Sequence, residues 1–345
     1  MKKVKVSGET PYEIIIEKGA LNKVCDYAGF LSFKKVMIVT DETVAPLYLS
    51  AVKTSLESAG KICHETILPQ GEEHKTPKSY LQIIDALVER GFTRKDLVLA
   101  LGGGVVSDIA GFAAATYMRG IDFIVCPTTL LSAIDASVGG KTGVDLKQGK
   151  NLLGAFHAPR LVLIDINSFK TLSESEIKNG MGEGIKYAVL TGGELSKMVE
   201  VGIKDLERFI ELCVSYKKDI VERDFKESGD RKLLNLGHTF AHAAEKLSNY
   251  TLPHGIAVAK GLMSVSEYAY RTNKLSFKDK EKIKNMIKAA GIDETMPYKI
   301  NELAFVMRMD KKADSDGEVS LVVPYSVGEC KIEKTSIDKI VEVLK

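Results

Sequence analysis

Residues 231 to 247 read RKLLNLGHTFAHAAEKL, and four side chains able to do chemistry recur there at helical spacing. At about 100° per residue, Arg231, Asn235, His238 and His242 share one narrow arc, with Leu233, Leu236, Phe240, Ala244 and Leu247 opposite, so the spacing predicts one amphipathic helix. A solvated helix face is normally written in Lys and Glu, whereas Arg, Asn and two His offer donors and ligands suited to an enclosed site. The i, i+4 histidine pair alone is equally the pattern of two hydrogen-bonded core histidines. His254, in LPHG just beyond, puts three of the chain's six histidines within seventeen residues and favours a ligand cluster. Two imidazoles plus one carboxylate make a catalytic zinc set with a position left open. The candidate carboxylate is Glu183 in KNGMGEGIKYAVL (178–190). There Gly180, Gly182 and Gly184 interrupt a helical pattern at about 1 kcal/mol each relative to alanine, a signal that another backbone approaches closely. Lys186, three residues on, is either the partner in a surface Glu/Lys pair or part of the same site. His64, His74 and His157 have no comparable neighbours and are read as non-ligands.

A second group of residues suits anions. LVLAL (97–101) runs into GGGVVSDIAGF (102–112), a glycine turn opening a helix, whose N–H groups and dipole suit a pyrophosphate. Its spacing is G-x-G-x-x-S, with Ser107 at the third glycine position, so it is equally readable as a tight turn without ligand. CPTTLLSAIDASVGGKTGVDLKQGKNLLGAF (126–156) then combines paired threonines, Asp135, glycines and three lysines. Lys141 and Lys150, flanked by glycine, supply compact positive charge where a backbone can approach phosphate; Lys147 reads as solvated.

The elements that must position these groups follow from composition and rhythm. The chain has 345 residues, 45% hydrophobic and 27% charged, which suits a folded protein of two domains. Its net charge of +2 provides no global field for nucleic acid or anionic membrane. Five scattered cysteines without C-x-x-C spacing argue against a disulfide framework or thiolate zinc site and suit a cytoplasmic protein. No export signal is expected, since Glu9, Glu13 and Glu17 occupy the stretch where an apolar run would stand. The apolar segment Leu97 to Met118 carries a triple glycine and Asp108, and reads as strand, turn and helix rather than membrane span. Strand-like runs at 36–40, 62–68, 97–101, 123–127 and 161–165 alternate with helical stretches, the pattern of an α/β, Rossmann-like domain with a largely parallel sheet. Beyond Asp165 the chain reads as helices to about residue 296, with a hairpin at 319–333. Ser173 and Glu176 form a capping box, so the expected domains are 1–170, α/β, and 171–345, mainly helical.

In this order, the motifs resemble those of the 3-dehydroquinate synthases. The resemblance rests on VTDETVAPLY (39–48), LPQGEEHK (68–75), LGGGVVSD, YMRG (117–120), PTTLL, VGGKTGV, GKNLLGAF, EGIKY, LNLGHTFAHA, HGIAV and MDKK (309–312). It implies an NAD-binding α/β domain, a helical metal- and substrate-binding domain, one divalent ion (Zn2+, with Co2+ an alternative) and a cytoplasmic homodimer. By motif, the metal ligands would be Glu183, His238 and His254, with His242 not a ligand but a catalytic group. NAD would lie against Asp41, Glu72, Lys75, Gly103, Gly104, Val105, Asp108, Thr128 and Thr129, with Lys141, Lys150 and Thr171 close by. Substrate phosphate would meet Lys141, Asn151 and Lys312, with Arg119 from the neighbouring subunit. Lys217 and Arg231 would take the substrate carboxylate, and Asp135, Lys186 and Asn235 its hydroxyls. Ser107 and Ala241 stand where the family usually has glycine, Asp145 where it has asparagine, and Ile256 where it has glutamate. The last change removes a carboxylate from the neighbourhood of His254, where support of a metal ligand is expected.

The implied reaction is that of a phosphate-eliminating carbon–oxygen lyase of the shikimate pathway. It converts 3-deoxy-D-arabino-heptulosonate 7-phosphate to 3-dehydroquinate by transient oxidation at C5, β-elimination, reduction and aldol closure. The alternatives are another sugar phosphate cyclase, disfavoured because its substrate leaves Arg231 and Lys217 without a carboxylate, a metal-dependent alcohol dehydrogenase of related fold, and an inactive metal- and NAD-binding protein.

Overall fold

The structure, a computed structural model, describes residues 1–28, 33–227, 229–310 and 318–345. The chain divides into two compact units, Met1–Leu172 and Ser173–Lys345.

The first unit is built on a seven-stranded sheet. Its strands are β1 (Lys2–Val6), β2 (Tyr12–Glu17), β3 (Lys35–Asp41), β4 (Ile62–Leu68), β5 (Leu97–Gly102), β6 (Asp122–Pro127) and, after a hairpin of β7 (Lys141–Leu146) and β8 (Gly149–Phe156), β9 (Leu161–Asp165). The order is β1-β2-β9-β6-β5-β3-β4, all parallel except β1 against β2. Every residue of β5 and β9 is buried, which is why LVLALG and LVLID are continuous apolar runs and not alternating ones. Helices α1 (Val24–Ala28), α2 (Ser50–Ser58), α3 (Pro77–Glu89) and α4 (Gly104–Thr116) connect the strands. β3 pairs on one side with β4 and on the other with β5, so the strand order reverses at the carboxyl ends of β3 and β5. In open parallel sheets that crevice is where ligands bind. Asp41 ends β3 and the triple glycine ends β5, so both stand at its rim.

Two parts of this unit differ from the sequence expectation. β1 and β2 form an N-terminal antiparallel edge, and the glycine- and lysine-rich stretch, where the sequence shows no strand-like run, holds the β7–β8 hairpin. Glycine obscures the second: Gly143 faces Gly154, and a Cβ at Gly154 would come within 2.2 Å of the Thr142 carbonyl oxygen. Side chains that would mark a strand do not fit there.

The second unit holds α5 (Glu174–Thr191), α6 (Gly193–Val201), α7 (Leu206–Arg223), α8 (His238–Leu247), α9 (His254–Arg271), α10 (Phe277–Ala289), α11 (Ile300–Asp310), the hairpin β10 (Glu318–Ser326) and β11 (Glu329–Ser336), and α12 (Ile337–Leu344). Ser173 caps α5 as its spacing suggests, its hydroxyl accepting from the Glu176 N–H at 3.2 Å. The segment 231–247 is not one helix. Asp230–Asn235 is a 3-10 turn, and α8 begins only at His238. Gly237 between them has φ +81, and a Cβ there would lie 2.9 Å from Val258 O and Leu262 N of α9. Close approach of α9 therefore breaks the helix, and Arg231 and Asn235 do not share a helical stripe with His238 and His242.

Candidate metal and dinucleotide sites

In the second unit, α5 lies backbone to backbone on α9. A Cβ at Gly182 would stand 1.8 Å from Gly255 O, so only glycine permits the contact that the interrupted pattern suggested. Glu183 follows Gly182 and His254 precedes Gly255, so this packing brings carboxylate and imidazole together. Glu183 Oε1 lies 3.2 Å from His254 Nε2 and 3.4 Å from His238 Nε2. The donor atoms of Glu183, His238 and His254 all fall within 4.8 Å of one another.

Each histidine is oriented from behind. His238 Nδ1 donates to Leu236 O at 3.2 Å, and His254 Nδ1 donates to the Glu245 carboxylate at 3.4 Å. Both rings therefore turn Nε2 toward Glu183, the usual arrangement of metal-binding histidines. Burial pushes His238 down to about 3, helped by the Lys186 charge, so it is neutral and ready to ligate. For His254, burial also lowers the pKa, but its hydrogen bonds to the Glu183 and Glu245 carboxylates outweigh it and raise it to about 10. In the ion-free protein His254 therefore carries a proton that a cation must displace. Glu183 is wholly buried, and its Oε2 pairs with Lys186, itself 1% exposed. The surface-pair reading of Glu183 and Lys186 is thus excluded. With one buried carboxylate and two imidazoles converging, the residues fit a divalent ion of the zinc class.

His242 is exposed on α8, with its ring 5.3 Å from that of His238. His242, Glu245 and His254 also group within ligand distance of one another, but the Glu245 contact is made to His254 Nδ1, on the opposite side of the ring from Glu183. Glu245 is the functional side chain that the sequence reading passed over. Lying seven residues after His238, it falls on the same helical arc, and it supplies His254 with the carboxylate that Ile256 does not. Arg231 is 1% exposed and pinned, with its N–H on Asp224 at 3.0 Å and Nη1 on Phe225 O. Asn235 Nδ2 donates to Glu227 at 3.0 Å, and Lys217 is buried on α7. Lys312 lies outside the described residues.

In the first unit, Gly103 caps α4 without a side-chain hydrogen bond, and a Cβ there would press on Thr129 at 3.2 Å. Gly104 and Val105 open the helix, and Ser107 turns its hydroxyl back on Gly104 O at 3.0 Å, so it does not block the turn. The Thr128 N–H donates to Gly102 O, while Thr129 Oγ1 accepts from Ser132 N. Asp41 Oδ1 accepts from the N–H groups of Thr43 and Val44. Lys75 is 4% exposed and donates to Asp108 and Asn151, each at 2.6 Å. Burial disfavours its charge, but Asp108 and Glu72 more than offset this and hold its pKa above the ordinary value. Glu72 pairs with Lys150 at 3.0 Å, and Thr171 meets Tyr48 Oη at 2.6 Å. Lys141 opens β7 and lines a small cavity with Ser107, Asp108, Ser137 and Gly140. Asp135 is half-buried in the turn before it, and Arg119 is exposed with φ +68. The bare glycine turn, backed by Thr128 and Thr129 and flanked by Asp41, fits a dinucleotide.

Comparison with known proteins gives the fold and the family. A solved 2-deoxy-scyllo-inosose synthase, complexed with carbaglucose-6-phosphate, NAD+ and Co2+, matches with TM-score 0.91 at 23% identity over 99% of both chains. A 2-epi-5-epi-valiolone synthase from Streptomyces hygroscopicus subsp. jinggangensis 5008, with NAD+ and Zn2+ bound, matches with TM-score 0.89 at 26% identity, over 99% of this chain and 98% of that one. The NADH-dependent butanol dehydrogenase A of Thermotoga maritima is more distant, with TM-score 0.67 at 16% identity over 98% of both chains. The fold is that of the sugar phosphate cyclases. Models of the N-terminal and C-terminal parts of 3-dehydroquinate synthase match residues 65–179 and 180–313. A 3-dehydroquinate synthase from Desulforamulus reducens is 40% identical over 339 residues, covering 95% of this chain and 94% of its own. The chain belongs to the 3-dehydroquinate synthase family.

Proposed function

We propose that the chain converts 3-deoxy-D-arabino-heptulosonate 7-phosphate to 3-dehydroquinate and phosphate, with residues 1–170 as its NAD-binding domain and 171–345 as its metal- and substrate-binding domain. Family membership supports the activity, and the observation that carries the site is the convergence of Glu183, His238 and His254. When bound, NAD supplies a reversible hydride acceptor, and the divalent ion, Zn2+ or Co2+, polarises substrate hydroxyls. Asp41, Glu72, Lys75, Gly103, Gly104, Val105, Asp108, Thr128, Thr129, Lys150 and Thr171 would hold NAD. Lys186 draws Glu183 Oε2 to itself and leaves Oε1 for the ion. Arg231, its guanidinium already anchored, receives the substrate carboxylate with Lys217, and a planar fork makes that recognition directional. Lys141, Asn151 and Lys312 take the phosphate, while Asp135, Lys186 and Asn235 hold the ring hydroxyls. His242, exposed beside the ligand cluster, carries a proton to and from substrate at an imidazole nitrogen.

The same reading includes a homodimer in which Arg119 of a second copy completes the phosphate site. Exposed Met118, Leu152, Leu153 and Phe156 in the first unit support it as a surface to be covered. Five cysteines without disulfides support a reducing, cytoplasmic setting, and among the described residues no helix is long and apolar enough to cross a membrane.

The test supplies the heptulosonate phosphate with substoichiometric NAD and follows phosphate, dehydroquinate and NADH absorbance together. Many turnovers without net NADH are expected. Stoichiometric NADH would indicate a dehydrogenase, and efficient cyclisation of sedoheptulose 7-phosphate, which lacks the carboxylate, would indicate another cyclase.

A further inference from the structure

The β7–β8 ladder pairs Val144 with Leu153 and Leu146 with Gly149, so the single residue Asp145 opposes three: Lys150, Asn151 and Leu152. Such a bulge loses ladder hydrogen bonds, and Asn151 sits at φ +55, a conformation that few residues other than glycine adopt freely. Asp145 replaces the lost bonds. Its Oδ1 accepts from the Asn151 N–H at 2.7 Å, and its own N–H donates to Lys75 O at 2.7 Å. Lys75 Nζ then donates to Asn151 Oδ1 at 2.6 Å. Lys75, Asp145 and Asn151 thus close a hydrogen-bonded ring, tied through Lys75 to Asp108 on α4. An ammonium only donates, so the Asn151 amide must turn its oxygen to Lys75, which directs its Nδ2 donors away from the ring.

We infer that Asp145 is a positioning residue for the substrate phosphate: it holds the bulge in the one conformation that presents the Asn151 amide donor to an anion. This rests on the reading of Asn151 as a phosphate ligand. Asp145 touches no ligand itself, and its negative charge alone would repel phosphate, so its contribution is geometric.

The experiment measures competitive inhibition by inorganic phosphate in the loaded enzyme for Asp145→Ala, Asp145→Asn, Asn151→Ala and the double variant Asp145→Ala/Asn151→Ala. Asp145→Ala is expected to raise the phosphate inhibition constant by about fivefold or more, with the KM for NAD within about twofold. Asp145→Asn keeps an Oδ1 acceptor for the same N–H and is expected to stay within about twofold of wild type. The double variant is expected to be no worse than Asn151→Ala, because Asp145 acts through Asn151. If Asp145→Ala does not fold, Asp145→Ser, whose hydroxyl stops short of the Asn151 N–H, is read in its place. The inference is overturned if Asn151→Ala weakens phosphate binding and Asp145→Ala does not, if the two effects multiply, or if Asp145→Asn and Asp145→Ala behave alike. No effect of Asn151→Ala would overturn the phosphate reading of Asn151 and this inference with it.

Discussion

Gly182→Ala tests whether the α5–α9 contact builds the candidate metal site. On helix propensity alone, alanine should stabilise α5 by about 1 kcal/mol. The structure opposes this, because the new methyl would stand 1.8 Å from Gly255 O. A carbon–oxygen contact needs roughly 3.3 Å, so the two helices must part locally by more than about 1 Å. The obstacle is backbone on both sides: a Cβ at Gly255 would lie 1.7 Å from Asn179 O, and the Gly255 N–H is held by Asn179 Oδ1 at 2.7 Å. Overpacking costs about 1–3 kcal/mol where side chains can shift, and a backbone obstacle belongs at the upper end of that range. A net loss of about 2 kcal/mol corresponds to a Tm drop of roughly 3 °C for a chain of 345 residues. The larger consequence is at the site. Glu183 and His254 adjoin the two glycines, and ligand distances tolerate errors of only about 0.2 Å. Metal affinity should therefore fall by at least about tenfold, measured by chelator competition and by the Co2+ absorption spectrum, with Tm read on loaded and stripped protein. Ser175→Ala, exposed on the same helix, should change neither. A Gly182→Ala protein with wild-type metal affinity and Tm would refute the argument.

Four further outcomes are expected. Glu245→Ala removes the acceptor behind His254 and should weaken metal binding about 10- to 100-fold by chelator competition, while Glu245→Gln, which keeps an acceptor oxygen, should recover part of the loss. Because the carboxylates raise His254 to about 10, metal uptake near pH 8 should release about one proton, read by calorimetry in buffers of different ionisation enthalpy. The same pairing stabilises chelated protein in full below about pH 6.5 and is lost as pH rises toward 10, so its Tm should decline over that window relative to loaded protein. Arg231→Ala should lose at least about tenfold in kcat/KM on the heptulosonate phosphate while metal stoichiometry and NAD binding persist; equal loss of all three would mean that the arginine serves the fold.

What the sequence determined by itself was local or periodic. The strand-like runs of β3, β4, β5, β6 and β9, the glycine turn, the Ser173 cap and the close approach at Gly182 each follow from a few neighbouring residues, whose backbone preferences do not depend on distant partners. The chemical types at the candidate metal site were equally legible, since Glu183, His238 and His254 stand in sequence contexts unlike those of a solvated helix. Tertiary structure decided how those residues meet. A 100° periodicity holds only while backbone angles stay helical, and α9 forces Gly237 to φ +81, which separates Arg231 and Asn235 from the histidine helix. The β7–β8 hairpin was hidden because its paired glycines carry no side chains to alternate. Burial of the Glu183–Lys186 pair, and the choice of Glu245 to hold His254, depend on which helices pack together. Sequence spacing along one helix places a carboxylate on a face, but only the packing of α8 against α9 determines which imidazole it reaches.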